Sequence, residues 1–367
     1  MVGIKLLVLP GDGIGPEISE VVLQCLEALA ERCSLDLRPT VQQIGLAHLK
    51  ESGTTMPADL VERAKTYDGI ILGPLSTSSY PPGEGSINVS ALLRRELDLF
   101  ANIRPSRAWP GLEQSRAAMD LVIVRENTEG FLADRVMYAG AGEFMPTPDL
   151  ALAVRKISAS ASRRIAETAF ALARERRGKV TAAHKVNSLK LSDGLFLREV
   201  RSVASANPQV EFEEVLVDAM AALLIRCPER FDVVVTTNLF GDILSDEAAE
   251  LAGSLGLAPS LNVGDEYAVA QAVHGSAPDI AGEGKANPGG LLLSTAMLLE
   301  WMARRKKEAE LSEAATALRR SVERAVMNPQ TRTRDLGGQT TTSQFGQIVS
   351  EAILQDEAIA LARASVK

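Results

Sequence analysis

Cysteine is scarce. Cys25, Cys33 and Cys227 are three, an odd number, and no two stand in C-x-x-C spacing. That pattern excludes a disulfide framework and a paired-cysteine zinc site, and it points to reduced thiols in a cytoplasmic protein. Positive charge is not in excess. The net charge of −8 keeps a chain soluble and argues against a general nucleic-acid binder, whose surface carries a basic patch or stripe. A small basic pocket for an anion is compatible with that balance. No apolar run is long enough to span a membrane. The longest, over 291–302, is broken by Ser294, Thr295 and Glu300 and reads as a buried helix. Met1-Val2-Gly3-Ile4-Lys5 leads straight into a strand-like stretch, so no cleavable signal segment is expected. Internal repeats and low-complexity tracts are missing as well.

What is present is an ordinary globular balance, 46% hydrophobic and 23% charged over 367 residues. Such a length holds two domains or one large α/β unit. Strand-like and helix-like patterns alternate, which predicts α/β layering. Ile4–Leu9 is an apolar run of buried-strand length. Gly11-Asp12-Gly13-Ile14-Gly15 then turns the chain. Pro16 suits the first helical position, and Glu17 and Glu20 sit where a helix dipole favours them. Ile18, Val21, Val22, Cys25, Leu26 and Leu29 follow at helical spacing. Further strands are predicted at 69–72, 121–124, 180–183, 210–217 and 232–236, and long helices at 149–176 and 291–305. Two loops rich in Pro, Gly and Ser, 73–86 and 275–290, are long enough to be functional.

Gly11-x-Gly13-x-Gly15 invites a dinucleotide-binding reading, but G-x-G-x-x-G needs its third glycine where Pro16 stands. A plain strand-to-helix turn and a turn beside a cofactor both fit. Stronger is Asn238-Leu239-Phe240-Gly241-Asp242-Ile243-Leu244-Ser245-Asp246, which follows an apolar strand. Asp242 and Asp246 are four apart, so on a helix they share one face. Stacked carboxylates repel unless a cation lies between them or both are solvated. Oxygen ligands of this kind suit Mg²⁺ or Mn²⁺; a solvated acidic helix start is the other reading. Asp218, at the end of another strand, is a candidate third ligand.

Arg94, Arg104 and Arg125 each adjoin an apolar segment. Arginines fixed at strand ends aim bidentate donors at carboxylates. Ordinary ion pairs with Glu96, Asp98 and Glu126 are the alternative. Lys185 follows the 180–183 strand. A lysine there, near metal-binding carboxylates, serves as a base if its pKa is lowered; a surface lysine is the plain alternative. His274-Gly275-Ser276-Ala277-Pro278-Asp279 opens the second long loop. Its small residues let backbone approach a ligand closely, or simply turn at the surface.

In their order along the chain these motifs resemble the isocitrate/3-isopropylmalate dehydrogenase family of metal-dependent β-decarboxylating dehydrogenases. The resemblance runs through 9–17, 98–105, Val124-Arg125-Glu126-Asn127-Thr128-Glu129-Gly130, 238–246, 274–282, Ala286-Asn287-Pro288 and Asp335-Leu336-Gly337-Gly338. It implies an α/β fold of two domains with a central cleft, not a Rossmann fold. The large, cofactor-side domain would be 1–101 plus 253–367. The small domain, 102–252, would hold the dimer interface with the metal and catalytic residues. It also implies a homodimer with shared active sites and no nucleic-acid or membrane partner.

By the same resemblance Arg94, Arg104 and Arg125 hold the carboxylates of a small hydroxy acid, with Asn88 and Ser90 beside them. Asp242 and Asp246 bind Mg²⁺ or Mn²⁺ together with Asp218 of the partner subunit. Asp218 and Lys185 are the catalytic pair, and Lys185, also from the partner subunit, assists proton removal from the hydroxyl. NAD is expected against Ile14, His274, Gly275, Ser276, Ala277, Asp279 and Asn287. Asp279-Ile280 stands where users of NADP tend to carry basic and aromatic residues. A carboxylate there accepts from ribose hydroxyls and repels a 2′-phosphate, which favours NAD over NADP.

The sequence departs from the family in three respects. Leu132 occupies the place of its catalytic tyrosine, seven residues after Arg125. Decarboxylation is therefore expected to be altered, absent, or served by a water, with Tyr138 as a nearby candidate. Ser90, Ala91 and Ser188 replace the bulky apolar residues that isopropylmalate enzymes present. A hydroxyl-lined pocket gains little from an isopropyl group, so tartrate or malate is favoured, with isopropylmalate, isocitrate and homoisocitrate as alternatives. Gln271 stands where many relatives have glutamate. The lost tyrosine also raises a non-catalytic regulatory or ligand-binding reading, opposed by the retention of three arginines, Lys185 and three aspartates.

Overall fold

The computed structural model describes residues 3–83, 85–113, 115, 119–132 and 142–356. β1 (Ile4–Leu9) buries every residue but Lys5. α1 (Gly15–Cys33) has Pro16 in its first turn and directs Ile18, Val22, Cys25, Leu26 and Leu29 into the main core. There follow β2 (Leu37–Val41), α2 (Leu46–Ser52), α3 (Leu60–Ala64), β3 (Gly69–Leu72), α4 (Val89–Glu96), β4 (Ala101–Arg107) and β5 (Asp120–Glu126). The middle of the chain adds β6 (Glu143–Thr147), β7 (Leu150–Ala153), α5 (Ala159–Arg174), β8 (Lys179–His184), α6 (Ser192–Ser205) and β9 (Glu211–Leu216). α7 (Val217–Arg226), β10 (Val233–Thr236) and α8 (Asn238–Ala252) come next. β11 (Leu261–Val263), β12 (Ala268–Gln271), α9 (Gly289–Lys306), α10 (Ala309–Met327) and α11 (Thr342–Leu354) complete the order.

Ten strands form one sheet, in the order β2-β1-β3-β12-β11-β4-β5-β10-β8-β9. The five strands from β2 to β11 come from the two ends of the chain, and the five from β4 to β9 from its middle. β11 pairs antiparallel with β12 and β4, and β4 antiparallel with β5. Three consecutive antiparallel pairs set this sheet apart from the mostly parallel doubly wound sheet that the glycine turn first invites. Of the parallel strands, β1, β3 and β10 are buried on both faces and read as nearly continuous apolar runs, whereas the edge strand β2 is largely exposed and the edge strand β9 partly so. Val233, Val234 and Val235 of β10 are all wholly buried. Burying such an aliphatic side chain stabilises by about 1.5–3 kcal/mol. Among the described residues no helix is long and apolar enough to cross a membrane.

Two expectations need correction. The helix predicted over 149–176 begins only at Ala159, where Ser158 caps it by accepting from Ala161 N at 3.2 Å. Residues 150–153 pair with β6 instead. Leu150, Leu152 and Val154 are exposed and recur every second residue, the period of a strand. Strands β4, β11 and β12 also lie outside the predicted set. β4 buries the polar residues Asn102, Arg104 and Ser106, and β11 has only three residues, so neither carries a long apolar run.

Candidate functional site

The carboxylates of α8 meet the arginines of β4 and β5. Asp242 and Asp246 lie on one face of the helix, as their spacing predicts. Arg104 Nη1 donates to Asp242 Oδ1 at 3.2 Å and lies 3.5 Å from Asp246 Oδ1. Arg125 Nη1 pairs with the same Asp242 oxygen, and its Nε and Nη2 donate to Asn238 Oδ1 at 3.0 and 2.6 Å. Gly241 makes this approach possible. A Cβ there would stand 2.7 Å from Arg125 Cβ.

The ordinary ion pairs offered as the alternative do not form. Glu96 pairs with Arg95, Asp98 with Arg164, and Glu126 accepts from Thr128 and from the Glu129 N–H. The charges at α8 perturb one another. Burial pushes the Arg125 guanidinium down to about 9, and the charges of Arg104 and Arg94 add to that push. Burial also lowers Arg104, which Asp242 and Asp246 counteract. It raises the Asp246 carboxyl, against the pull of Arg104. The buried guanidinium groups of Arg104 and Arg125 thus share the Asp242 carboxylate, with the charge of Arg94 felt nearby, an arrangement that suits an anionic ligand.

Several positioning residues here escaped the sequence reading. Asn102 Oδ1 accepts from Arg104 Nε at 2.6 Å, and its amide donates to Asn262 Oδ1, which also accepts from Asn127. Ser245 Oγ accepts from Arg104 at 2.7 Å. The available signal was polar residues inside otherwise apolar strands.

Lys185 and Asp218 meet each other. Lys185 Nζ donates to Asp218 Oδ1 at 2.6 Å, and that bond holds the Asp218 carboxyl below the usual carboxylate range. They do not join Asp242 and Asp246 within one chain: among the described residues no group of three His, Cys, Asp or Glu side chains gathers to hold a metal. The pair Asp242 and Asp246 still fits a hard divalent cation. Both are oxygen donors on adjacent turns of one helix, and both are partly open to solvent. Beneath Lys185, the wholly buried Asp193 accepts from the Lys185 backbone N–H at 2.5 Å and pairs with Arg155.

The glycine turn and the His274 loop come together. Ile14 N donates to Ser276 O at 2.8 Å, and Ser76 Oγ to Ser276 Oγ at 2.7 Å. Asp12 ties the turn down by accepting from Leu46 N, Ser76 N and the Tyr80 hydroxyl. Gly13 has φ +59° and lies so close to Ser276 that a Cβ would stand 1.9 Å from its carbonyl oxygen. Gly13→Ala is therefore expected to destabilise the fold by about 2–4 kcal/mol and to raise the dinucleotide KM; denaturant unfolding and steady-state kinetics measure both.

His274 Nε2 is buried and has no hydrogen-bond partner among the described residues. Burial pushes its imidazole down, so it stands neutral near pH 7, ready to hydrogen-bond a ligand. That orphaned nitrogen fits a cofactor at this loop. Gly275 and Asp279 are exposed beside it, and Ala277 turns the loop with φ +38°. The Asn287 side chain is committed elsewhere: it donates to Asp335 and accepts from Gly289 N.

Asn88 and Ser90 begin α4, the helix that carries Arg94. Asn88 Oδ1 is occupied as the N-cap, accepting from Ala91 N at 3.1 Å. Ser90 stands one turn before Arg94 and donates to Gln271 Oε1 at 3.1 Å. Ser188 continues the turn after Lys185. Leu132 is exposed, and Tyr138 lies outside the described residues.

Residues 5–349 match the family model described as isocitrate/isopropylmalate dehydrogenase. The chain belongs to the isocitrate/isopropylmalate dehydrogenase family. It is 43% identical over 346 residues to a 3-isopropylmalate dehydrogenase of Methanothermobacter thermautotrophicus, covering 94% of this chain and 97% of that protein. It is 41% identical over 350 residues to an isocitrate/homoisocitrate dehydrogenase of Thermus thermophilus, covering 95% and 98%. The crystal structure of isocitrate dehydrogenase from Methylococcus capsulatus superposes with a TM-score of 0.86 at 36% identity, covering 96% of this chain and all of that one.

As a member of the isocitrate/isopropylmalate dehydrogenase family, the chain is a dehydrogenase acting on the CH–OH group of a small hydroxy acid. The family uses NAD(P) and a divalent metal, and the match supports oxidative decarboxylation. The non-catalytic reading falls. The preference for tartrate or malate drawn from Ser90, Ala91 and Ser188 is not supported; the alternatives named beside it fit better.

Proposed function

We propose that the chain catalyses NAD- and Mg²⁺- or Mn²⁺-dependent oxidative decarboxylation of a 2-hydroxy acid whose third carbon bears a carboxyl and a polar substituent, as in isocitrate or homoisocitrate. The observation that carries this reading is the cluster of Arg104 and Arg125 on Asp242, with Arg94 close enough to perturb Arg125. Three cationic side chains suit the carboxylates of such an acid. Asp242 and Asp246, with Asp218 of the partner subunit, would hold the metal. A metal held there would supply a Lewis acid for the substrate's hydroxyl and carbonyl oxygen, and NAD held at the His274 loop would supply the hydride acceptor. Lys185 of the partner subunit, its backbone N–H held by Asp193, would take the hydroxyl proton as the neutral amine, after Asp218 turns from it to the metal and its own proton passes to water. With Leu132 in the tyrosine's place, water protonates the carbon left by CO₂ loss.

The substituent choice rests on Ser90 and Gln271, whose hydrogen bond leaves a polar wall one turn from Arg94. An isopropyl group placed there would take water from the remaining donors and acceptors of that pair and give no hydrogen bond in return. The exposed Asp279 supports NAD over NADP. Homodimer formation is supported by the β6–β7 hairpin, which exposes Phe144, Met145, Leu150 and Leu152, and by exposed Ile225 and Ile243 on α7 and α8. A large domain of 1–101 plus 253–367 and a small domain of 102–252 agree with the two halves of the sheet order. Three free cysteines support a cytoplasmic location.

The test is NADH formation and CO₂ release across isocitrate, homoisocitrate, 3-isopropylmalate, malate and both tartrates, with metal present and chelated. Isocitrate or homoisocitrate is expected to give the highest kcat/KM, with one CO₂ per NADH. A higher kcat/KM for 3-isopropylmalate, malate or tartrate, or NADH without CO₂, would overturn the reading. Ser90→Leu is expected to move the kcat/KM ratio toward 3-isopropylmalate by about tenfold or more, measured with the two substrates in parallel.

A further inference from the structure

An apolar cavity lies outside the candidate site. It encloses ≈ 320 Å³ between the end of β4, the last turns of α8, and the helices α9 and α10. Its wall is chiefly apolar, built from Trp109, Ala249, Ala252, Leu257, Leu293 and Met297. Three charged side chains also reach it, and they are not equivalent. Arg107 donates to Glu323 at 3.1 Å, so those two charges cancel. Arg319 makes no hydrogen bond or ion pair with any described residue. An apolar interior with one net positive charge at its wall selects for an apolar body carrying a single negative charge.

Water fills such a space poorly, because each buried water needs about two to four polar partners. At about 30 Å³ per water, the volume corresponds to on the order of ten heavy atoms. We propose that this cavity is a second binding site, distinct from the cluster at Asp242, for a small aliphatic monocarboxylate. Its chain fills the apolar interior, and its carboxylate pairs with Arg319.

The cavity shares two elements with the candidate site. Ala249 stands three residues beyond Asp246 and seven beyond Asp242, so the three share one face of α8. Asp242 and Ala249 are separated by roughly 10 Å along the helix axis. Pro105, which also lines the cavity, follows Arg104 directly on β4. An occupant therefore presses on the elements that position Asp242, Asp246 and Arg104, and alters substrate KM. This coupling, unlike the binding, rests on the function proposed above.

Octanoate is a suitable probe, titrated calorimetrically into the full chain without substrate. Saturable binding of one octanoate per chain is expected. Arg319→Gln should weaken it at least fivefold, and so should replacing the carboxylate by the alcohol in octan-1-ol. Ala252→Leu, which fills part of the cavity, should also weaken it at least fivefold. Absence of saturable binding to the parent chain overturns the site, as does a Kd within twofold of the parent's for Arg319→Gln. Arg319 is partly exposed, so this variant is expected to fold even if Ala252→Leu does not. Saturating octanoate should change hydroxy-acid KM at least twofold in the parent and not in Arg319→Gln. Intact binding with unchanged KM overturns the coupling. Intact binding to a chain that oxidises none of the acids above counts against the proposed reaction and leaves the site standing.

Discussion

Asp242→Asn is expected to lower kcat/KM by about 10³-fold, the equivalent of about 4 kcal/mol of transition-state stabilisation. The side chain answers two demands at once. Its Oδ1 accepts from Arg104 and from Arg125, the two buried guanidinium groups of the cluster. It also offers oxygen to a cation shared with Asp246. Asparagine keeps the shape and one acceptor but removes the charge. Two guanidinium groups already pushed down by burial, and Arg125 also by the charge of Arg104, then lose their nearest counter-charge. The amide oxygen is also a weaker ligand for a hard cation than a carboxylate. The metal concentration for half-maximal activity should therefore rise alongside the fall in kcat/KM, and titration with Mg²⁺ and Mn²⁺ measures it. Activity within tenfold of the parent, at an unchanged metal requirement, would remove Asp242 from the metal site.

The spacing of Asp242 and Asp246 was readable because a helix converts a separation of four residues into a shared face whatever surrounds it. The motif order was readable for the same local reason, and with it the family. What packs against that face was not readable. Arg104 and Arg125 reach Asp242 because β4, β5 and α8 converge, contacts that span 117 to 138 residues of chain. No periodicity records such a contact. β4 itself went unpredicted because burial of Asn102, Arg104 and Ser106 breaks the apolar pattern; their hydrogen bonds stand in for apolarity. The start of α5 was misplaced because the apolar residues of β7 are exposed in the chain and mimic a helical stretch by composition alone. The turn at Gly13 was visible, but its partner Ser276 lies far along the sequence. The substrate preference went astray for a further reason. Ser90, Ala91 and Ser188 describe one wall of a pocket, and a polar wall does not by itself separate tartrate or malate from the larger acids that the relatives favour.

Asp193→Ala should be among the most disruptive single changes in the chain, costing about 3–5 kcal/mol of stability in denaturant unfolding. Asp193 is wholly buried and bonds in two directions. One oxygen accepts from the Lys185 backbone N–H, and the other pairs with Arg155, itself nearly buried. Arg155 also donates to Ser192 and Thr237, and its guanidinium lies 5.4 Å from the Phe240 ring centroid. Alanine leaves a buried cation without its counter-charge and a backbone N–H without its acceptor. Adding Arg155→Met should recover part of the lost stability, because the uncompensated charge is then gone. Activity should not recover with it, since Lys185 would still lack the bond that fixes its backbone. That divergence separates a positioning role from simple folding support: kcat should stay depressed in the double variant while unfolding free energy rises. Asp193→Asn, which retains an acceptor for Lys185 N, should keep more activity than alanine. A loss below about 1 kcal/mol in Asp193→Ala, or recovery of kcat in step with stability in the double variant, would show that Asp193 does not position Lys185.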